Sequence, residues 1–186
     1  MLWRLGGSSS PHPEPVEGRG RAIAGAALAL TLAAAAPALA RDTPSGLPVP
    51  RWISLKSGKI NARNGPGEDH RILWTYRVKD LPVQIVAETR QWRRVCDPRG
   101  GLAWVNVGTT SGRRSVLRLK PQPLALRKEP DQASPVTAYL GPSRLAGLDR
   151  CKDGWCKIKA GRAGGWAPAG ELWGTAERQL CPTSRR

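Results

Sequence analysis

The residues with the greatest chemical potential are the four cysteines, two of which bracket the stretch CKDGWC, Cys151 to Cys156. Paired thiols can bind zinc, exchange electrons or form a structural disulfide. A zinc site needs four ligands, and a redox pair needs two intervening residues at a helix start; this segment meets neither requirement. An Asp-Gly pair between strand-like residues is instead a two-residue hairpin turn, because both central positions take positive φ. Asp153 and Gly154 then set Lys152 opposite Trp155 and Cys151 opposite Cys156, with α-carbons roughly 4.5 Å apart. That is the short end of the disulfide range. The spacing therefore predicts a cross-strand disulfide in an oxidising compartment and two buried thiols otherwise. Cys96 with Cys181 is the remaining even pairing, with a free or intermolecular thiol as its alternative.

Nucleophilic catalysis needs a base beside the nucleophile. Beyond residue 40 the chain has a single histidine, His70, in the polar loop GPGEDHR, so Cys96 with His70 is the one dyad available. Glu68, Asp69 and His70 are adjacent, and neighbours on an extended chain point to opposite sides, so they do not converge on a metal. The glycine-rich GRAGGW, residues 161–166, lacks the lysine and following helix of a phosphate loop. No catalytic residue, metal site or cofactor is expected, and recognition is what remains. Trp74 and Tyr76 alternate on one face of ILWTYR with Arg71 and Arg77 nearby; Trp92 shares a face with Arg94 and adjoins Arg93, as Trp155 shares one with Lys157. Rings beside cations suit sugars and stem peptides, the ring stacking on an apolar face while the cation meets a carboxylate or phosphate. Trp74, Tyr76, Arg71, Arg77, Arg93 and Arg94 are the candidate ligand-binding residues. The alternative is packing: in a chain with eight Trp and no Phe, Trp92, Trp104 and Trp166 serve as core.

These residues act where the chain is delivered. Ala22–Ala36 is an uncharged apolar run preceded by Arg19 and Arg21 and ending in Ala38-Leu39-Ala40, the pattern of a secretory signal peptide cleaved after Ala40. The Pro-rich SSSPHPEPVEG upstream is an anomalous extension, unlike a signal's charged start. The run is Ala-rich and broken by Pro37, short of a spanning helix, so a periplasmic protein with no stable membrane span after cleavage is expected. The formal net charge is +16, from 30 basic and 14 acidic residues spread along the chain. Such a charge favours polyanions, and export makes nucleic acid the least fitting of them.

The elements that must position the candidates occur twice. Laying Asn61–Val105 over Ala125–Ala167 brings NARNGP onto ALRKEP, WRRV onto WCKI, and Ala103-Trp104 onto Gly165-Trp166. The offset moves only from 64 (Arg63 to Arg127) to 62 (Trp104 to Trp166). So long a period indicates two small domains rather than a solenoid. Short β-branched runs such as LPVQIVAE and LAWVNV, separated by Gly, Pro, Asp and Asn clusters, read as strands. Alternation in WCKIK puts Cys156 and Ile158 on the core face and Trp155, Lys157 and Lys159 on the other. The expected divisions are a signal peptide at 1–40, a linker at 41–51, modules at 52–114 and 115–174, and a C-terminal tail at 175–186.

The order NARNGPG, LPVQIVAE, WRRV, GGLAWV, then ALRKEP, DGWCKI and GGWAPAGELWG resembles the bacterial SH3-like domain family in tandem form. Ala103 stands where that family has Gly before the Trp, and RKEP lacks a Gly before Pro130. The resemblance implies an all-β fold of two tandem small SH3-like β-barrels without catalytic machinery. It also implies attachment to peptidoglycan or another wall polymer. The expectation is thus a non-enzymatic periplasmic protein bound to peptidoglycan or an associated anionic envelope polymer. The alternative is an adaptor that docks a peptide of an envelope protein.

Overall fold

The computed structural model describes residues 43–182, so the expected signal peptide lies outside the described residues. The described chain is all β. In the first module β1 (Arg51–Leu55), β2 (Ile60–Arg63), β3 (Ile72–Tyr76), β4 (Pro82–Glu88), β5 (Trp92–Cys96), β6 (Leu102–Asn106) and β7 (Thr110–Ser111) form an antiparallel sheet in the order β3-β2-β6-β5-β4-β1-β7. In the second, β8 (Ser115–Leu117), β9 (Leu124–Arg127), β10 (Val136–Leu140), β11 (Leu145–Lys152), β12 (Trp155–Ala160) and β13 (Ala163–Pro168) run β10-β9-β13-β12-β11-β8.

One sheet can seal a core only by coiling over itself, and each does. Leu55, Ile60, Ala62, Tyr76, Val83, Ile85, Val95 and Val105, from six strands, meet in one buried cluster. Val116, Leu126, Leu140, Cys156, Ile158 and Ala167 meet in the other. Register breaks supply the coiling, because an extra residue bends its strand and raises the twist. The extra residues fall at matching places: Leu73 on β3 and Thr137 on β10, then Val86 on β4 and Asp149 on β11. Arg63 faces Trp104 across β2 and β6, as Arg127 faces Trp166 across β9 and β13. The duplication read from the sequence is therefore a duplication of register.

The β11–β12 hairpin closes as its turn dictates. Asp153 and Gly154 take φ of 50° and 77°, Cys151 faces Cys156, and Lys152 faces Trp155. Cys151 and Cys156 are disulfide-bonded with α-carbons 4.0 Å apart, and Cys156 lies in the core beside Ile158.

The modules share one compact unit and are joined by only Gly112, Arg113 and Arg114 between β7 and β8. Buried hydroxyls meet at this seam: Ser54 Oγ lies 2.6 Å from Ser115 Oγ. Trp173 stands edge-on to Trp52 with centroids 5.1 Å apart and donates its indole N–H to the Pro82 carbonyl at 2.8 Å. The segment beyond it returns to the first module. Trp52 Nε1 donates to the Ala176 carbonyl, Gln84 donates to Arg178 O at 2.8 Å and accepts from Leu180 N at 2.9 Å, and Cys96 is disulfide-bonded to Cys181. Gln84 faces Cys96 across β4 and β5, and Val86, Cys96, Cys181, Leu102, Trp173 and Leu180 form a small third cluster. β4 is thus covered on both sides, which is why PVQIV reads as a nearly unbroken apolar run.

Candidate functional site

The loop after β2 is held from within the sheet. The Arg63 guanidinium donates to the carbonyls of Glu68 and His70, each at 2.7 Å, and Asn64 N donates to Arg71 O at 3.1 Å. The His70 ring lies directly on Gly65, where any side chain would collide with it. In the second module Arg127 performs the same task on the Ser134 carbonyl at 2.7 Å. There Glu129 replaces Gly65 and buried Ser134 replaces His70, the ring-on-glycine packing giving way to a hydrogen bond from Glu129 N to Ser134 Oγ at 3.0 Å. This explains how RKEP tolerates the missing glycine. The reverse holds at the strand pair: Ala103 is buried in the first core, whereas a Cβ at Gly165 would sit 2.8 Å from the Arg127 carbonyl oxygen.

Between the held loop and the strand ends lies a cleft of about 530 Å³ lined by Pro66, Glu68, Arg90, Trp92 and Asn106. A second hollow of about 270 Å³ adds Lys59, Asn61, Arg63 and Thr109 and shares Glu68, Trp92 and Asn106 with the first. Together they make one groove on the first module. Trp92, 7% exposed, is its apolar floor; Lys59 and Arg90 are exposed cations at its margin. Asn106 faces Trp92 across β5 and β6 and is held by its own side chain, which accepts from Gly108 N at 2.8 Å. The matching pair in the second module is Trp155 with Pro168, and Ala125 stands at the position of Asn61. The two amides of the groove belong to the first module alone.

Trp74 and Tyr76 lie at the first core rather than in this groove. Tyr76 is core: it is 7% exposed, packs with Ile53 and Val83, and donates its hydroxyl to Asp97 Oδ2 at 3.2 Å. Burial, and then the neighbouring Asp97 carboxylate, push its phenol far above the usual range. Trp74 is half-buried against the same core, edge-on to Tyr76 at 6.0 Å. Asp97 is meanwhile the staple of the β5–β6 loop, accepting from the backbone of Arg99 and Gly101.

The cations scatter. Arg71 and Arg77 are exposed on either side of β3, and Arg94 is half-buried facing Trp104. Arg93 turns inward, donating to Thr110 Oγ1 and lying 3.8 Å from the sequestered Glu88 carboxylate, which Arg51 also grips. Burial, with Arg51 close by, lowers the pKa of Arg93. The six candidates therefore do not converge. Sequence reasoning gave Trp92 to packing, and the ring is buried even where it lines the groove; that reasoning did not group Arg63, Glu68, Asn61 and Asn106 with it. The available signal was the pairing of Arg63 with Arg127 ahead of both loops.

Cys96 is committed to its disulfide and offers no thiolate to His70. Among the described residues no cluster of His, Cys, Asp and Glu is arranged to hold a metal, and no helix is long and apolar enough to cross a membrane.

Comparison with known proteins agrees with the duplication. The family model of the bacterial SH3 domain matches residues 56–112 and again 120–174. No curated protein matches the chain. Among solved structures, NlpC2 from Trichomonas vaginalis is similar at 14% identity and a TM-score of 0.30, over 67% of this chain and 48% of that one. NlpC1 from the same organism gives 14% and 0.30, over 66% and 45%. The chain spans about half the length of either.

Proposed function

The chain belongs to the bacterial SH3 domain family, carrying the domain twice, and from that premise we propose that it is an exported, non-catalytic protein of the cell envelope whose first module binds peptidoglycan or an associated anionic polymer. The supporting observation is the groove around Trp92: an indole floor, an amide on each side at Asn61 and Asn106, and cations at Lys59, Arg63 and Arg90. A ring of this kind stacks on a sugar or a stem-peptide face while the cations meet carboxylates or phosphates. Bacterial SH3 modules are wall-binding units. Two disulfides within so small a body fit an oxidising compartment such as the periplasm.

Co-sedimentation of the processed protein with purified sacculi at low and high salt tests the reading. Lys59→Ala with Arg90→Ala weakens binding at low salt, where the screening length is about 30 Å at roughly 0.01 M, and changes it little at high salt. Trp92→Leu, in protein whose near-UV circular dichroism is retained, removes the salt-resistant remainder, on the order of 1 to 3 kcal/mol for a stacking ring. Absence of binding at any salt, or full binding by the folded Trp92 variant, defeats the proposal. Salt-insensitive capture of a single envelope protein would put the adaptor reading in its place.

A further inference from the structure

The second module carries a cationic face that the Trp92 groove does not use. Across its sheet Arg150 faces Lys157, Lys157 faces Trp166, and Lys152 faces Trp155. Residues opposite one another, or two apart along a strand, share a face, so Arg150, Lys152, Lys157 and Lys159 stand on the outer side with Trp155. The alternating residues of β12, Cys156 and Ile158, belong to the core. Arg150 lies over the Trp166 ring at 5.4 Å and 3.1 Å from Asp149, and Lys152 stays loosely beside Asp153 at 3.9 Å. Lys157 and Lys159 are exposed and form no ion pair among the described residues. In the first module the position of Lys159 is taken by Cys96, sealed under the C-terminal segment; the second module leaves its face open.

We propose that this outer face of β11 and β12 docks on a membrane surface rich in anionic phospholipid headgroups. Four cations spaced by a strand lattice present a broad positive plane rather than a slot, and three of the four are lysines, whose long stems spread point charges over many phosphates. Trp155, half-buried and on the same side, is the amphipathic ring that suits the boundary between headgroup and acyl chain. The disulfide of Cys151 with Cys156 fixes the hairpin that bears them. This site is separate from the groove of the first module and does not depend on what that groove binds.

The test is co-sedimentation of the processed protein with vesicles of phosphatidylglycerol in phosphatidylcholine. Each lysine near an anionic surface changes partitioning about fivefold, so Lys157→Gln with Lys159→Gln weakens binding roughly thirtyfold. Lys56→Gln with Lys79→Gln, which removes equal charge from exposed positions on the first module, changes it little. Sacculus binding by the Lys157 and Lys159 variant stays at the parental level, which separates this face from the groove. No binding to the anionic vesicles, equal binding to pure phosphatidylcholine, or equal weakening by the two double variants each overturns the proposal. Capture of soluble polyphosphate without vesicle binding overturns it as well and assigns the face to a free polymer.

Discussion

Removing the disulfide between Cys96 and Cys181 should destabilise the protein far more than removing the one between Cys151 and Cys156. The first closes a loop of 85 residues and the second a loop of 5. Constraining the unfolded chain by loop closure stabilises by about 4.6 kcal/mol for the long loop and about 2 kcal/mol for the short one at room temperature. For a body of this size each kcal/mol moves the melting temperature by about 4 °C, so the pair Cys96→Ala and Cys181→Ala should lower it by about 15–20 °C and the pair Cys151→Ala and Cys156→Ala by about half that. The long loop spans both modules, and its closure holds Leu180 and the Gln84 hydrogen bonds against β4. Its loss should therefore also let the tail leave before the cores melt. Denaturant unfolding followed by tryptophan fluorescence gives both readings, since Trp52 and Trp173 meet at the seam. Equal costs for the two double variants, or less than about 1 kcal/mol for the long loop, would refute the reasoning and show that the closure does not constrain the unfolded chain as a single unit.

Acid should loosen the first module through Glu88. Burial pushes its carboxyl upward, but hydrogen bonds from Arg51 and Ser45 outweigh this and hold its pKa below the ordinary 4.5. The stability it contributes is complete above that value and is lost as pH falls through the lowered one. Glu88→Gln should lower the neutral-pH melting temperature and flatten the decline seen on acidification. Gly65→Ala should displace the His70 ring and cost about 1–3 kcal/mol, with sacculus binding reduced; adding His70→Ala should recover most of the loss in a double-mutant cycle. Gln84→Leu should cost about 1–3 kcal/mol by leaving Leu180 N–H and Arg178 C=O without partners, measured by denaturant titration. His70→Ala should leave any envelope phenotype unchanged; muropeptide-cleaving activity present in the parent and lost in this folded variant would show that an enzyme had been dismissed.

What the sequence determined by itself is what short-range geometry controls. The Asp153-Gly154 turn fixes which residues face each other in its hairpin, so the Cys151 and Cys156 bond and the split of WCKIK into core and solvent faces could be read before any fold was known. The two copies were legible because the same register recurs, down to the arginine that clamps the following loop. The fate of the aromatics was not legible. Trp74 and Tyr76 both pack against the first core, but only Tyr76 is deeply buried, where Asp97, distant in sequence, accepts its hydroxyl. Trp92 became the groove floor only once the Arg63-clamped loop stood over it. Arg93 looked like a surface cation until β1, β4 and β7 brought Arg51, Glu88 and Thr110 around it. The seam was the least legible of all. Nothing local in Gln84, Trp52 or Trp173 says that a segment more than ninety positions away from Gln84 will return to meet it. Local turns are decided by a few dihedral preferences, whereas such contacts exist only after two cores have formed and brought their outer faces within reach, so tertiary structure alone could assign them.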